Sequence, residues 1–297
     1  MVFLIAGAEM AGKGAKKTAL AMGISPLFIS LTLTAVLTSL PELAISLTSA
    51  FKSLWNGVLP GLVFANSTGS MIFQGTLSLA IIGMIRSFSF SHRINTDLKV
   101  AMFAALLLTL FSIDGHIGRF DGTALILFEI IYIRNIMGEV RKKSFKRPEA
   151  EFLVSAVKGI LILSAGIIFM IYSSGLVVDG ARDLALRFDW GDEIVGTITG
   201  YGTSFPELFF SATLLVFLGM QSAAIGNLVG SNSFIITVPI GLAALIVPQN
   251  ANVLLAAYAL IVTTLNYLLL RDSRITRIRA AILGLAIIPY LYLVFTI

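Results

Sequence analysis

The chain has 297 residues, of which 57% are hydrophobic and only 12% charged. A soluble domain carries about 25% charged residues, so a fully water-exposed surface is excluded, and the recurring apolar stretches point to a protein embedded in a bilayer. The lack of cysteine excludes disulfides and thiolate metal sites, and the formal charge of +5 is dispersed over segment ends rather than gathered into a nucleic-acid-binding patch.

Apolar runs between polar connectors give ten candidate spans, near residues 1–22, 25–51, 58–85, 98–113, 121–138, 152–188, 191–218, 221–247, 250–270 and 276–296. The first does not read as a cleavable leader, because Lys13, Lys16 and Lys17 follow its apolar run instead of preceding it. Its uncharged part covers about 18 Å at 1.5 Å per residue, and snorkelling lysines extend it to a full span. His92 and His116 fall in separate polar connectors, which argues against a zinc enzyme. Of the 21 Lys and Arg residues, only Lys52, Arg119, Arg182 and Arg187 lie on the side reached by the even-to-odd connectors. The others, including the run over 141–147, share the opposite side, so the positive-inside rule predicts an N-out, C-out protein. Trp55 and Trp190 then sit at the outer boundary, where interfacial indoles belong.

Two halves of the chain repeat one another. Leu37-Thr38-Ser39-Leu40-Pro41-Glu42-Leu43 recurs as Gly202-Thr203-Ser204-Phe205-Pro206-Glu207-Leu208, and Asn66-Ser67-Thr68-Gly69-Ser70 recurs as Asn227-Leu228-Val229-Gly230-Ser231. Gly14-Ala15 recurs as Gly180-Ala181. The three matches keep their order at offsets of 165, 161 and 166 residues. They indicate duplication of a five-span unit: 1–140 and 152–297, joined by a basic cytoplasmic linker at 141–151. Five crossings are an odd number, so the second unit inserts upside down. An inverted pair is the sequence mark of a secondary transporter whose site lies at the repeat interface near midplane. The expected fold is therefore an all-α membrane protein of ten transmembrane helices in two inverted-topology repeats.

The repeated motif carries the chemistry. Glu42 and Glu207 lie deep in spans two and seven, where an ionised acid is functional by default, and no Lys or Arg stands at matching depth. Two such acids without basic partners ask for a bound cation. Pro41 and Pro206 remove a hydrogen bond to Leu37 and Gly202, so helices two and seven are expected to break there, freeing carbonyls for an ion in a protein-lined cavity. Thr38 and Thr203 stand four residues before the acids, on the same helical face, and Ser39 and Ser204 add oxygens. Asn66, Ser70 and Gln74 form one face of span three, matched by Asn227, Ser231 and Ile235 in span eight. Carboxylate, hydroxyl and carbonyl oxygens are hard ligands that suit Ca²⁺ or Na⁺.

At these residues the sequence resembles the sodium/calcium exchanger family. The family's two alpha-repeats are similar to Gly23–Gln74 and Gly191–Ile235, each with a Thr-Ser-x-Pro-Glu core and a later Gly-Ser, and the connector Asp114–Gly122 resembles the family's linker between spans four and five. The resemblance implies Na⁺/Ca²⁺ exchange by alternating access, with spans one and six sliding past the rest. It also implies ion coordination by Glu42, Glu207, Thr38, Thr203, Ser39, Ser204, Ser70 and Ser231. Where the family usually places Asn or Asp, four residues after each repeat's serine, this chain has Gln74 and Ile235. One central ligand is thus enlarged and the other lost. Two carboxylates neutralise one Ca²⁺, two Na⁺ or two protons, so an H⁺/Ca²⁺ antiporter is the alternative, and a cation channel or leak pathway a lesser one. No His-Glu-x-x-His, paired-Asp or Ser/His pattern supports an intramembrane enzyme. The ions are cargo, no cofactor is expected, and the partners are inorganic cations and the lipid bilayer, with no nucleic acid. A prokaryotic plasma membrane is the expected location; the sequence leaves the oligomeric state open, and a monomer is compatible with it.

Overall fold

A computed structural model describes residues 2–21, 38–56, 61–140 and 152–297. The basic linker 141–151, span two before Thr38 and the start of span three before Gly61 lie outside the described residues.

Backbone groups in hydrocarbon have no water to bond, so apolar runs of this length close their hydrogen bonds internally as helices. The described chain is accordingly all-helical. In order it forms α1 (Val2–Ala21), α2 (Leu40–Asn56), α3 (Leu62–Phe73), a π-helical turn (Gln74–Ser78), α4 (Leu79–Ile85), α5 (Ile94–Phe111) and α6 (Arg119–Val140). It continues with α7 (Phe152–Phe188), α8 (Asp192–Val216), α9 (Gln221–Ile246), α10 (Val253–Leu270), α11 (Arg277–Leu285) and α12 (Ile287–Thr296). Six segments are long and apolar enough to cross a membrane among the described residues, Leu62–Ile85 being one continuous run through the π turn. α7, with 37 residues, extends about 55 Å at 1.5 Å per residue and overshoots a hydrocarbon core of about 30 Å.

One expectation is overturned. α8 does not break at Pro206: it runs as one helix from Asp192 to Val216 with the proline inside it. Packing against neighbouring helices lets a transmembrane helix carry a proline, and α3 and α9 both pack against α8. Pro239 is likewise accommodated inside α9. In the first half the chain turns at Ser39 and α2 starts at Leu40, so Pro41 occupies a first turn, where a missing N–H costs little.

α1 and α7 dock backbone to backbone and antiparallel. An added Cβ at Gly14 would lie 2.7 Å from the Gly159 carbonyl oxygen, and one at Gly7 would lie 2.9 Å from the Met170 nitrogen. α3 and α8 pack closely in parallel, with the Gly61 N–H donating to Asp192 Oδ2 at 2.7 Å at one end and Gln74 meeting Ser204 at the other. α9 packs among α2, α3, α5, α6 and α8. The apolar core is divided into three clusters. One centres on Phe64, Ile235, Ile240 and Tyr290, one on Leu79, Leu208, Leu228 and Leu283, and one on Leu4, Ile45, Met170 and Val195.

Short strand pairs tie connectors together at the ends of the bundle. β1 (Phe88–Ser89) pairs antiparallel with β4 (Arg274–Ile275), Phe88 opposite Ile275. β2 (His116–Ile117) pairs antiparallel with β3 (Gln249–Asn250), His116 opposite Asn250.

Candidate ion-binding site

The acids Glu42 and Glu207 are both fully buried. Glu42 lies in the first turn of α2 and Glu207 one residue beyond Pro206 in α8. Among the described residues no salt bridge reaches either. Each faces hydroxyls of the other half. Ser204 donates to Glu42 Oε1 at 3.3 Å, and the Thr203 hydroxyl lies beside the same carboxyl. The Thr38 hydroxyl faces Glu207. Thr38 and Ser39 stand just ahead of α2, Ser39 buried.

α3 supplies the wall expected of it. Ser70 Oγ lies 3.3 Å from Glu42 Oε1 and 3.3 Å from Thr203 Oγ1, while donating to the Gly200 carbonyl at 2.9 Å. That proximity requires glycine at 200, because a Cβ there would fall 2.8 Å from the Ser70 nitrogen. Gln74 opens the π turn, a local widening frequently found at functional sites. Its amide spans the second half: Nε2 donates to Ser204 Oγ at 3.4 Å, and Oε1 accepts from Ser231 Oγ at 2.7 Å. Asn227 of α9 sits beside Glu207, its Nδ2 3.0 Å from Ser211 Oγ and 3.5 Å from the Glu207 carbonyl oxygen. Asn66 is fully buried between α3 and α8. These contacts bring Glu42, Glu207, Thr38, Thr203, Ser204, Ser70, Gln74, Ser231 and Asn227 to the α2–α3–α8–α9 junction, with Ser39 and Asn66 buried, and Ile235 instead joins the large apolar cluster.

The seam is short of partners. Glu42 Oε2, both Glu207 carboxyl oxygens, both Asn66 amide atoms and Asn227 Oδ1 are buried without a well-formed hydrogen bond. A buried polar group left unmade costs about 1–3 kcal/mol, and more if charged. Such a concentration of unpaired buried oxygen in one seam calls for an explanation. The atoms present are hard oxygens, with no thiolate or imidazole, and the described residues hold no cluster of three or more His, Cys, Asp or Glu.

Residues that the repeat did not point to also surround the seam. Asn232 and Asn266 are buried near Gly75 with their amide oxygens unpaired, and Thr197 bonds Tyr290 at 3.0 Å. Glu129 is a third buried acid, in α6. Its signal, an acid inside an apolar run, was available in the sequence, but the second half carries no matching acid to single it out.

The profile of the sodium/calcium exchanger protein family matches residues 1–137 and 158–296. The chain belongs to this family. It is therefore a multi-pass membrane protein of the cation antiporter class and not an enzyme. CaxA of Alkalimonas amylolytica is 30% identical over 100% of this chain and 96% of its own length. An uncharacterized membrane protein of Methanocaldococcus jannaschii is 29% identical over 93% of this chain and 89% of its own. Sodium/calcium exchanger MaX1 of Methanosarcina acetivorans is 24% identical over 84% of this chain and 82% of its own. Among solved structures, the sodium-calcium exchanger NCX_Mj soaked with Na⁺ and Sr²⁺ superposes with a TM-score of 0.69 at 27% identity, covering 98% of this chain and 94% of that one.

Proposed function

We propose that this chain exchanges Na⁺ for Ca²⁺ by alternating access, with the ions bound between Glu42 and Glu207. The observation that carries this reading is the pair of fully buried carboxyls that face hydroxyls across the two halves, have most of their oxygens unpaired, and have no salt bridge among the described residues. Removing a carboxylate from water costs several kcal/mol. A cation seated between two of them offsets that cost, and one Ca²⁺ or two Na⁺ neutralise the pair. Thr38, Thr203, Ser39, Ser204, Ser70 and Ser231 would add neutral oxygens, with Asn66, Asn227 and Gln74 lining the same seam.

The reading includes ten spans in two inverted five-helix repeats, 1–140 and 152–297, joined by the basic segment 141–151, with both termini outside the plasma membrane. Two features support the inversion. α1 and α7, the first span of each repeat, cross antiparallel through their glycines. The strand pairs also exchange under the repeat: the connector after span three pairs with that after span nine, and the connector after span four with that after span eight. The moving unit in this reading is the α1–α7 pair. It touches the rest of the bundle mainly through α2 and α8, including Thr48 Oγ1 at 2.6 Å from Ser174 Oγ. A cavity of about 780 Å³ between α7 and α8 reaches Thr199, Tyr201 and Gly202 beside the acid motif.

Radioactive calcium uptake into proteoliposomes tests this, comparing an outward Na⁺ gradient with an outward H⁺ gradient. Uptake driven by Na⁺ is expected. Uptake driven only by H⁺ would keep the two acids but move the protein to proton-coupled exchange, and calcium entry without any counter-gradient would make it a leak.

A further inference from the structure

Glu129 lies in the middle of α6, 2% exposed, and plays no part in the exchange proposed above. It faces α9, where Ser233 Oγ lies 3.2 Å from Oε1 and Thr237 Oγ1 lies 3.1 Å from Oε2. A count of protons decides how this carboxyl is held. A threonine hydroxyl has one proton and two acceptor lone pairs. The Thr237 hydroxyl lies 2.7 Å from the Ser233 carbonyl oxygen one turn back, closer than to the carboxyl. With its proton on that carbonyl, Thr237 presents lone pairs to Glu129 Oε2. An ionised carboxylate would then set lone pairs against lone pairs in a dry site, whereas a protonated one donates. The Ser233 hydroxyl keeps its own proton for Oε1, so a neutral acid satisfies every oxygen in the cluster.

Among the described residues no ion pair reaches Glu129. α9, the main neighbour of α6, contains no titratable residue between Gln221 and Ile246. From α6 itself Tyr132 faces Glu129, and its hydroxyl donates to Asp97 Oδ1 of α5 at 2.5 Å, with Arg93 beside that pair. We propose that Glu129 is a resident proton-binding site: a neutral carboxylic acid whose O–H joins α6 to Thr237 of α9 and is not exchanged with the transported ions. Ser231 and Ser233 stand about 200° apart around α9 at 3.6 residues per turn. The acid thus grips the helix on the side away from the seam and positions Ser231 against Gln74.

This proposal is independent of the ion-site assignment and is tested on the full chain in lipid nanodiscs by infrared difference spectroscopy. Wild type should show a carboxylic-acid carbonyl band that is missing in Glu129→Gln and unmoved by Na⁺ or Ca²⁺. Glu129→Gln should also transport calcium at the wild-type rate, since its amide donates to Thr237 and accepts from Ser233. Thr237→Val should shift the band without removing it, and this variant carries the test should Glu129→Gln fail to accumulate. An unshifted band in Thr237→Val, no acid band lost in Glu129→Gln, or a Glu129 band abolished by Na⁺ or Ca²⁺ would overturn the proposal, the last by making the carboxyl a cation ligand.

Discussion

Glu42 and Glu207 occupy matching places in a duplicated motif and are equally buried, yet they are held differently. The Ser70 and Ser204 hydroxyls both lie 3.3 Å from Glu42 Oε1, while both Glu207 oxygens lack a well-formed bond and face the Thr38 hydroxyl. The difference traces to the second wall. Ser70 leans toward Glu42, but its counterpart Ser231 turns away from Glu207 to the Gln74 amide at 2.7 Å. Where a short Asn or Asp would end near the centre, Gln74 reaches across and takes Ser231 with it. The two motifs carry matching acids, and the departures at Gln74 and Ile235 coincide with the different surroundings of Glu42 and Glu207.

The largest effect expected is loss of transport. Glu42→Gln and Glu207→Gln should each abolish calcium uptake, and normal flux in either would remove that acid from the site. The same pair sharpens the contrast in stability. Without ions, Glu207→Gln should stabilise the protein relative to Glu42→Gln by about 1–3 kcal/mol, the cost of an unsatisfied buried group. Equal melting temperatures in ion-free detergent solution would contradict the asymmetry. Next comes the sliding pair. Gly166→Val places a side chain against the Ala11 backbone and should destabilise by about 1–3 kcal/mol, as overpacking does, with calcium uptake falling; wild-type melting and uptake would argue against close α1–α7 docking.

Gln74→Asn should release Ser231 and make the two pockets more alike. We expect a change in calcium affinity of about tenfold, corresponding to 1.4 kcal/mol, read from the half-saturation of uptake; unchanged affinity would show that the Gln74–Ser231 contact does not shape the site. The smallest effect belongs to Pro206→Ala. Because α8 is already continuous through residue 206, uptake should stay near wild type, and a severe defect would revive the broken-helix reading.

Much of the site was legible because chemistry and repetition coincide in it. Thr38, Ser39 and Glu42 reappear as Thr203, Ser204 and Glu207, and the i, i+4 spacing puts each threonine on the face of its acid. The i, i+4, i+8 line of Asn66, Ser70 and Gln74 likewise predicted a wall that α3 provides. What stayed hidden depends on neighbours rather than on local sequence. The continuity of α8 through Pro206 belongs to a helix packed against α3 and α9, and the π turn at Gln74 is a hydrogen-bond shift that no residue type announces. Glu129 was overlooked because its partners, Ser233 and Thr237, are more than 100 residues away. The contact of Gln74 with Ser231 could not be read because it crosses the repeat boundary.

The central claim is that a cation sits between Glu42 and Glu207. Anomalous diffraction from crystals soaked in Sr²⁺, a heavier stand-in for Ca²⁺, tests it most directly. The account predicts one peak within coordination distance of both carboxyls, lost in Glu207→Gln. A peak elsewhere in the bundle, or one that persists without the Glu207 carboxylate, would contradict it.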